Sequence, residues 1–237
     1  MHGHRRPTRT DVITEYRRDA LLHAATRIFG KYGFDCATME QIAHDADVAK
    51  GTTYLYYRSK QSIYDAALSR GLAELDRRTH EAVERAPDLH DAIAAFVTAR
   101  AQYFLEHRDF FRMYVAAISR HITSVKPRAS EFQAMVDRQT RRLEDAIARG
   151  VSRGEIRHVD PAAAALAIFD LTRGLVARAI VATGAFDVAS EVEFVTSLVW
   201  NGLEKGKRPR PPTPQAPARP RRSDAKAGPE RGDGVKR

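Results

Sequence analysis

Proline is nearly absent from the first 204 residues, and this distribution most constrains how the chain can fold. Only four of the eleven prolines precede residue 205, at Pro7, Pro87, Pro127 and Pro161. Three of them separate long stretches whose apolar residues recur with helical spacing, and proline is tolerated between helices or in a first turn. No alternating strand pattern and no repeat of about 20–50 residues is apparent. The sequence therefore predicts an all-α fold of about nine helices.

The helix bounds follow from apolar spacing, glycines and capping signals. We expect the first helix to be broken by Gly30 and Gly33, after an apolar stripe that ends at Tyr32. Four further helix starts carry capping signals, which are Thr38 with Gln41, Ser59, Asp160 before Pro161, and Ser190 with Glu193. The expected helices span residues 11–30, 38–46, 50–57, 60–86, 88–107, 109–124, 128–150, 161–183 and 189–203.

The net charge of +9 at pH 7 is unevenly distributed along the chain. Residues 1–60 carry +3, residues 61–204 carry −2, and residues 205–237 carry +8 together with seven of the eleven prolines. Because this last segment has almost nothing apolar to bury, we expect a disordered basic tail. Residues 1–10 are expected to form a flexible basic arm, which leaves residues 11–204 as the folded part.

Composition narrows the class of protein. The single cysteine, Cys36, excludes a disulfide framework and a multi-cysteine metal site within the chain, and we expect it to pack rather than act as a redox sensor. No apolar run reaches the roughly 18 residues of a membrane span. These features predict a cytoplasmic protein, and its basic balance makes nucleic acid the first partner to consider.

The segment from Thr38 to Lys60 has the pattern of a helix-turn-helix, with Asp47-Val48-Ala49 as its turn. In such a motif the N-terminal residues of the second helix reach base edges in the major groove, and hydroxyl or ammonium groups further along contact phosphates. We expect base contacts from the first turn of this helix and phosphate contacts from the residues beyond it. Thr38 and Gln41, at the start of the preceding helix, are also expected to contact DNA. The predicted DNA-binding residues are Thr38, Gln41, Lys50, Gly51, Thr52, Thr53, Tyr54, Tyr56 and Lys60. Tyr57 and Tyr64 are expected to pack inside.

The segment of about 17–65 resembles the DNA-binding domain of the TetR/AcrR family of bacterial transcription regulators. The resemblance rests on the spacing of Thr38, Ile42, Ala43, Ala46, Val48, Gly51, Thr52, Tyr54, Ser59 and Lys60. Asp47 replaces the family's usual glycine. We expect the turn to survive, because aspartate tolerates the left-handed turn conformation better than most residues. Ala49 replaces the usual serine and so removes a helix cap. The domains expected from this resemblance are a DNA-binding domain at 11–60 and a ligand-binding and dimerisation domain at 61–204.

The resemblance also implies a homodimer that binds a near-palindromic operator, with its two recognition helices about 34–36 Å apart or somewhat more. A small effector is expected to release this dimer from the operator. The last two helices are expected to form the dimer interface, through Leu166, Val176, Ile180, Val195, Leu198, Val199 and Leu203. An apolar or aromatic effector is expected in a pocket lined by Tyr103, Phe104, His107, Phe110, Phe111, Tyr114, Phe132, Met135, Phe169 and Arg173. Ordinary helix packing is the alternative for each of these pocket residues, and for Arg173 an ion pair with Asp170.

Several functional alternatives remain open. A repressor is the leading interpretation, and an activator or a ligand-independent DNA-binding protein of the same fold is the alternative. An enzyme is a remote one, because the chain has no H-E-x-x-H, P-loop, G-x-G-x-x-G or G-x-S-x-G motif. No metal site or cofactor is predicted. The arm's Arg5, Arg6 and Arg9 either reach the minor groove or stay disordered, and the tail is expected to add salt-sensitive, non-specific affinity for DNA.

Overall fold

The computed structural model describes residues 9–123, 129–182 and 186–205, with side chains described for 13–120, 136–182 and 186–205. Within these ranges the chain is all-α, as predicted, and its only extended pairing is an isolated bridge between Ile156 and Glu204. The basic tail and most of the basic arm lie outside the described residues. The helices are α1 (Arg9–Cys36), α2 (Met39–Asp45), α3 (Lys50–Tyr56), α4 (Lys60–Glu84), α5 (Leu89–Glu106), α6 (Arg108–Thr123), α7 (Ala129–Ser152), α8 (Pro161–Val181) and α9 (Val188–Leu203).

Helix α1 passes through Gly30 and breaks at Gly33, where φ is 75°. The prediction that Gly30 interrupts the helix is therefore wrong. A Cβ atom built on Gly30 would lie 2.5 Å from the carbonyl oxygen of Asp109, so this glycine permits α1 and α6 to approach closely. Tyr32, expected on the buried stripe, is 41% exposed.

The capping signals around α2 to α4 are confirmed. The Gln41 amide donates to Thr38 Oγ1 at 3.2 Å, and the Thr38 amide donates to Gln41 Oε1 at 2.8 Å. Asp47 has a φ of 52°, so aspartate takes the left-handed turn position. Ser59 caps α4, whereas Ala49 offers α3 no side-chain cap.

The cap predicted for α9 at Ser190 is wrong, whereas the cap predicted for α8 is confirmed. Asp160 accepts the amides of Ala162 and Ala163, and Pro161 begins α8. In α9 the N-cap is Asp187, which accepts the amides of Ala189 and Ser190. Because a carboxylate already fills the cap three residues earlier, Ser190 lies within the first turn instead of capping it.

The described side chains form two apolar cores, and α6 contributes to both. We call α1–α3 the head and α4–α9 the body. The head core includes Leu21, Phe29 and Ile42, closed by the first two turns of α4 and by Met113 of α6. The body core gathers side chains from α4 to α9, including Phe110 and Tyr114 from α6. No described helix is both long and apolar enough to cross a membrane.

Candidate nucleic-acid interface

The first turn of α3 presents a polar surface to solvent. Lys50, Gly51 and Tyr54 are exposed, and Thr52 is partly exposed, so four of the predicted DNA-binding residues share one accessible surface. Their approach to DNA stays a prediction, since no nucleic acid is present. Leu55, which the sequence analysis missed, is 84% exposed beside them. A leucine left in solvent on so short a helix suits an apolar contact with a thymine methyl group.

Thr53 is the exception among these neighbours, because its side chain is 0% exposed. It lies four residues before the buried Tyr57, and that spacing places both on the face of α3 turned into the head. Its hydroxyl has no hydrogen-bond partner among the described residues. The assignment of Thr53 to DNA is therefore corrected to packing, while the packing predicted for Tyr57 is confirmed.

Lys50 is held by an ion pair with Glu40, which reaches across from α2. The hydrogen bond between them raises the pKa of the Lys50 ammonium and lowers the pKa of the Glu40 carboxyl. Both side chains are more than half exposed, so water weakens the pair. Glu40 was missed in the sequence analysis. The usable signal was an acidic residue on the first helix of the motif, which could pair with the lysine that begins the second.

Three of the predicted contacts also serve the head itself. Thr38 and Gln41 satisfy each other in the capping box described above. Lys60 donates from Nζ to the carbonyl oxygens of Asp35 at 3.1 Å and Ala37 at 3.0 Å, so it caps the end of α1. One of its three N–H donors is left for another acceptor. Tyr56 is partly buried against the head core.

Helix α6 connects the head to the body through close contacts. Tyr64, predicted to pack, is buried and donates its hydroxyl to the Met113 carbonyl oxygen at 3.3 Å. Gly71 of α4 lies directly against the ring of Phe110 of α6, where a Cβ atom would overlap that ring. Together with the contact of Gly30 to Asp109, these contacts mean that a shift of α6 in the body must displace α1 or α4.

The predicted effector pocket is packed rather than open among the described side chains. Tyr103, Phe104, Phe110, Phe111 and Tyr114 are all buried, with ring centroids between 5.1 and 6.4 Å apart in the contacting pairs. They therefore form one aromatic cluster in the body core. A groove of about 1080 Å³ lies instead between α5 and α9, and none of the predicted pocket residues lines it.

The remaining pocket residues are scattered. His107 is exposed at the end of α5, against the Tyr103 ring, so it is corrected to the rim of the cluster. Arg173 forms the alternative ion pair with Asp170, at 2.9 Å. Phe169 is buried in the body core. The side chains of Phe132 and Met135 lie outside those described.

At the centre of the body lies a residue that the sequence analysis missed, Arg100. Its side chain is 1% exposed and lies against the rings of Phe169, Phe96 and Phe104, with the guanidinium carbon 4.4, 5.4 and 5.5 Å from their centroids. Burial lowers the pKa of the guanidinium. The usable signal was that Arg100 is the one charged residue in the mainly apolar run from Ala92 to Phe104.

The predicted dimer residues divide between core and surface. Val176, Val195 and Leu203 are buried within the chain's own core, so their assignment to an interface is corrected. Ile180 and Val199 are partly buried. Leu166 and Leu198 are exposed, and they are joined by two exposed apolar residues that the sequence analysis missed, Leu171 and Phe194.

Cys36 is exposed at the end of α1, which corrects the expectation that it packs.

Comparison with known proteins agrees with this architecture in both parts of the chain. Residues 21–67 match the family model described as bacterial regulatory proteins of the tetR family, and residues 87–177 match a tetracyclin repressor-like C-terminal domain. The HTH-type transcriptional regulator YhgD of Bacillus subtilis, itself uncharacterised, is 22% identical over 160 residues, which is 68% of this chain and 82% of that protein. The HTH-type regulator BetI of Brucella canis is 35% identical over 81 residues, 34% of this chain and 41% of BetI.

A solved structure extends the likeness to the fold. The transcriptional regulator FadR from Bacillus subtilis, crystallised with stearoyl-CoA, superposes with a TM-score of 0.67 at 17% identity. The alignment covers 78% of this chain and 98% of FadR.

Proposed function

Because the chain belongs to the TetR family of bacterial transcriptional regulators, we propose that it is a repressor that binds a near-palindromic operator as a homodimer and leaves it when an effector binds. The observation that carries the proposal is the exposed first turn of α3, with Lys50, Gly51 and Thr52 beside one another at the start of the recognition helix. A lysine reads guanine acceptors, a threonine reads a base edge or a thymine methyl, and a glycine lets the backbone approach.

The exposed apolar side chains on α8 and α9 support dimerisation. Leu171 lies one turn from Ala167 on α8, and Leu198 lies one turn from Phe194 on α9, so each helix presents an apolar stripe to solvent. Two copies related by a two-fold axis would bury these stripes against each other in a four-helix bundle. The proposed interface consists of Leu166, Leu171, Phe194 and Leu198.

The shared helix α6 supports release by an effector. Its aromatic side chains belong to the body core and its Met113 to the head core, so a ligand that displaces the body cluster would move the head. Such a ligand lowers operator affinity only to the extent that it binds better to the conformation that does not bind DNA. The relative FadR holds stearoyl-CoA, and for this chain we propose an effector that is also mainly apolar or aromatic.

Gel shifts at moderate salt test the proposal, with the DNA that flanks the chain's own gene and a random duplex of equal length as probes. We expect a specific complex on the flanking DNA. Lys50→Ala should weaken it about tenfold, as expected for a lost base or phosphate contact.

Arg85→Ala is the matched control, because Arg85 is an exposed cation at the far end of α4. It should bind DNA as the wild type does. A protein that binds both probes equally would refute the proposal, and so would equal effects of the two substitutions. Removal of residues 206–237 should leave the specific complex intact and flatten its salt dependence if the basic tail acts non-specifically.

A further inference from the structure

Four helices of the body meet around Arg100 of α5, and three of them contribute polar groups. Its Nη1 donates to Gln139 Oε1 of α7 at 2.9 Å, the Tyr114 hydroxyl of α6 lies beside it, and the ring of Phe169 of α8 covers the guanidinium. All four side chains are buried. This is the one place in the described body where a charged side chain is fully enclosed by the core.

Part of this cluster lacks hydrogen-bond partners within the described residues. The unpartnered atoms are Nε and Nη2 of Arg100, the Tyr114 hydroxyl and Nε2 of Gln139. None of the ion pairs found among the described residues involves Arg100: the charge of Asp76 acts on it without forming an ion pair, and Arg173, the cation that acts on it, is already held by Asp170. Burying a charge without a counter-charge costs several kcal/mol, so proteins seldom leave one in that state.

The free atoms of Arg100 have a specific geometry. Nε and Nη2 form one edge of the guanidinium plane, and their N–H bonds point in parallel. That edge is the fork that grips both oxygens of a carboxylate. The third nitrogen, Nη1, is held by Gln139 and fixes the orientation of the fork. The surrounding rings of Phe96, Phe104 and Phe169 are suited to an apolar group.

We propose that Arg100 is the anchor for the carboxylate of an otherwise apolar effector, bound at the centre of the body. The carboxylate accepts two hydrogen bonds from Nε and Nη2 and one from the Tyr114 hydroxyl, while its apolar remainder replaces contacts of the aromatic cluster. Binding supplies Arg100 with an ion-pair partner and displaces the aromatic neighbours of Tyr114 on α6, the helix that touches the head. The inference rests on the proposed function and adds the chemical class of the effector to it.

Calorimetry on the full chain without DNA tests the inference. The probes are sodium decanoate and sodium phenylacetate, each compared with its uncharged amide, and the coenzyme A thioester of decanoate. We expect at least one acid to bind and its amide to bind about ten- to a hundredfold more weakly, because the amide lacks the charge that the fork recognises. The two acids distinguish an aliphatic from an aromatic effector.

Arg100→Met should abolish the preference for the acid over the amide while keeping the core filled. The matched control is Arg77→Met, since Arg77 is exposed on α4 and pairs with Glu74 and Glu81; it should keep the preference. If Arg100→Met does not fold, Tyr114→Phe tests the same site by removing one donor, and the acid and amide comparison on the wild type remains decisive.

Three results would overturn the inference: neither acid binds, the amide or thioester binds as tightly as the acid, or Arg100→Met retains the preference. The proposed function fails separately. A chain that selects its operator but binds no acid remains a regulator without this site, whereas one that binds the acid through Arg100 but selects no operator has the site without the function.

Discussion

At the scale of single residues, Thr52 and Thr53 show how little sequence separates two opposite roles. The two threonines are adjacent in the first turn of α3, yet Thr52 is partly exposed and Thr53 is buried. Both threonines were predicted to contact DNA from their residue type and their place at the start of the motif's second helix. The missing information was the rotation of a seven-residue helix, which the burial of Tyr57 reveals.

Replacement of each threonine by valine separates these roles. Thr53→Val removes a buried hydroxyl that has no partner, so the free energy of unfolding should stay within about 0.5 kcal/mol of wild type or rise by up to about 1 kcal/mol, with operator affinity unchanged. Thr52→Val should leave stability unchanged and weaken operator binding. Urea unfolding and gel shifts measure the two effects, and a loss of DNA binding confined to Thr53→Val would restore the original assignment.

At the scale of elements, α6 determines how the head and body fit together. It approaches α1 at Gly30, where the backbone of Asp109 lies against the glycine, and α4 at Gly71, where the ring of Phe110 does. Its Arg120 lies over the rings of Phe34 and Tyr64, with the guanidinium carbon 4.7 and 4.6 Å from their centroids. Glycine inside a helix normally costs stability relative to alanine, so its presence at these two positions is explained by the close approach.

Gly30→Ala should therefore destabilise the chain. The new methyl group would overlap the Asp109 backbone, which cannot move aside as a flexible side chain does, and we expect a loss of about 1–3 kcal/mol. Gly51→Ala is the matched control, because a Cβ there meets nothing within 4 Å and the helix gains a better former. Chemical unfolding of both variants checks the prediction, and equal stability would show that α1 and α6 do not constrain each other at Gly30.

The same scale shows what sequence patterns can and cannot predict. Most helices were placed correctly because proline, capping boxes and apolar spacing act over a few residues, as at Thr38 with Gln41 and at Asp160 with Pro161. The errors at Gly30 and at Ser190 arose where two local signals competed. The choice between Val176 in the core and Leu171 on the surface required knowledge of which side of α8 faces α5, and that depends on contacts between distant segments.

At the scale of the whole molecule, the side of the single chain formed by α8 and α9 leaves large apolar side chains exposed to solvent. Phe194 is 61% exposed, and Leu166, Leu171 and Leu198 are also exposed there. A cluster of large apolar side chains in water marks an interaction surface. The proposed dimer would bury these side chains and fix the separation of the two recognition helices.

Phe194→Glu should shift the chain toward monomers, because two-fold symmetry places two new carboxylates in one apolar interface. Sedimentation at several protein concentrations measures this shift, and operator binding should fall with it. Glu193→Gln is the control, since Glu193 is an exposed neighbour on α9 that lines the groove toward α5. A dimer that persists in Phe194→Glu would contradict the proposed interface.

The contribution of Met113 to the head core has a consequence for modularity. Met113 is separated from the head by two intervening helices in sequence, yet it closes the same core as Leu21 and Ile42. An isolated fragment ending after α3 or early in α4 would expose that core and lose its cooperativity of unfolding. The head therefore does not fold independently of the body, and a chimera that carries the head must carry α6 as well.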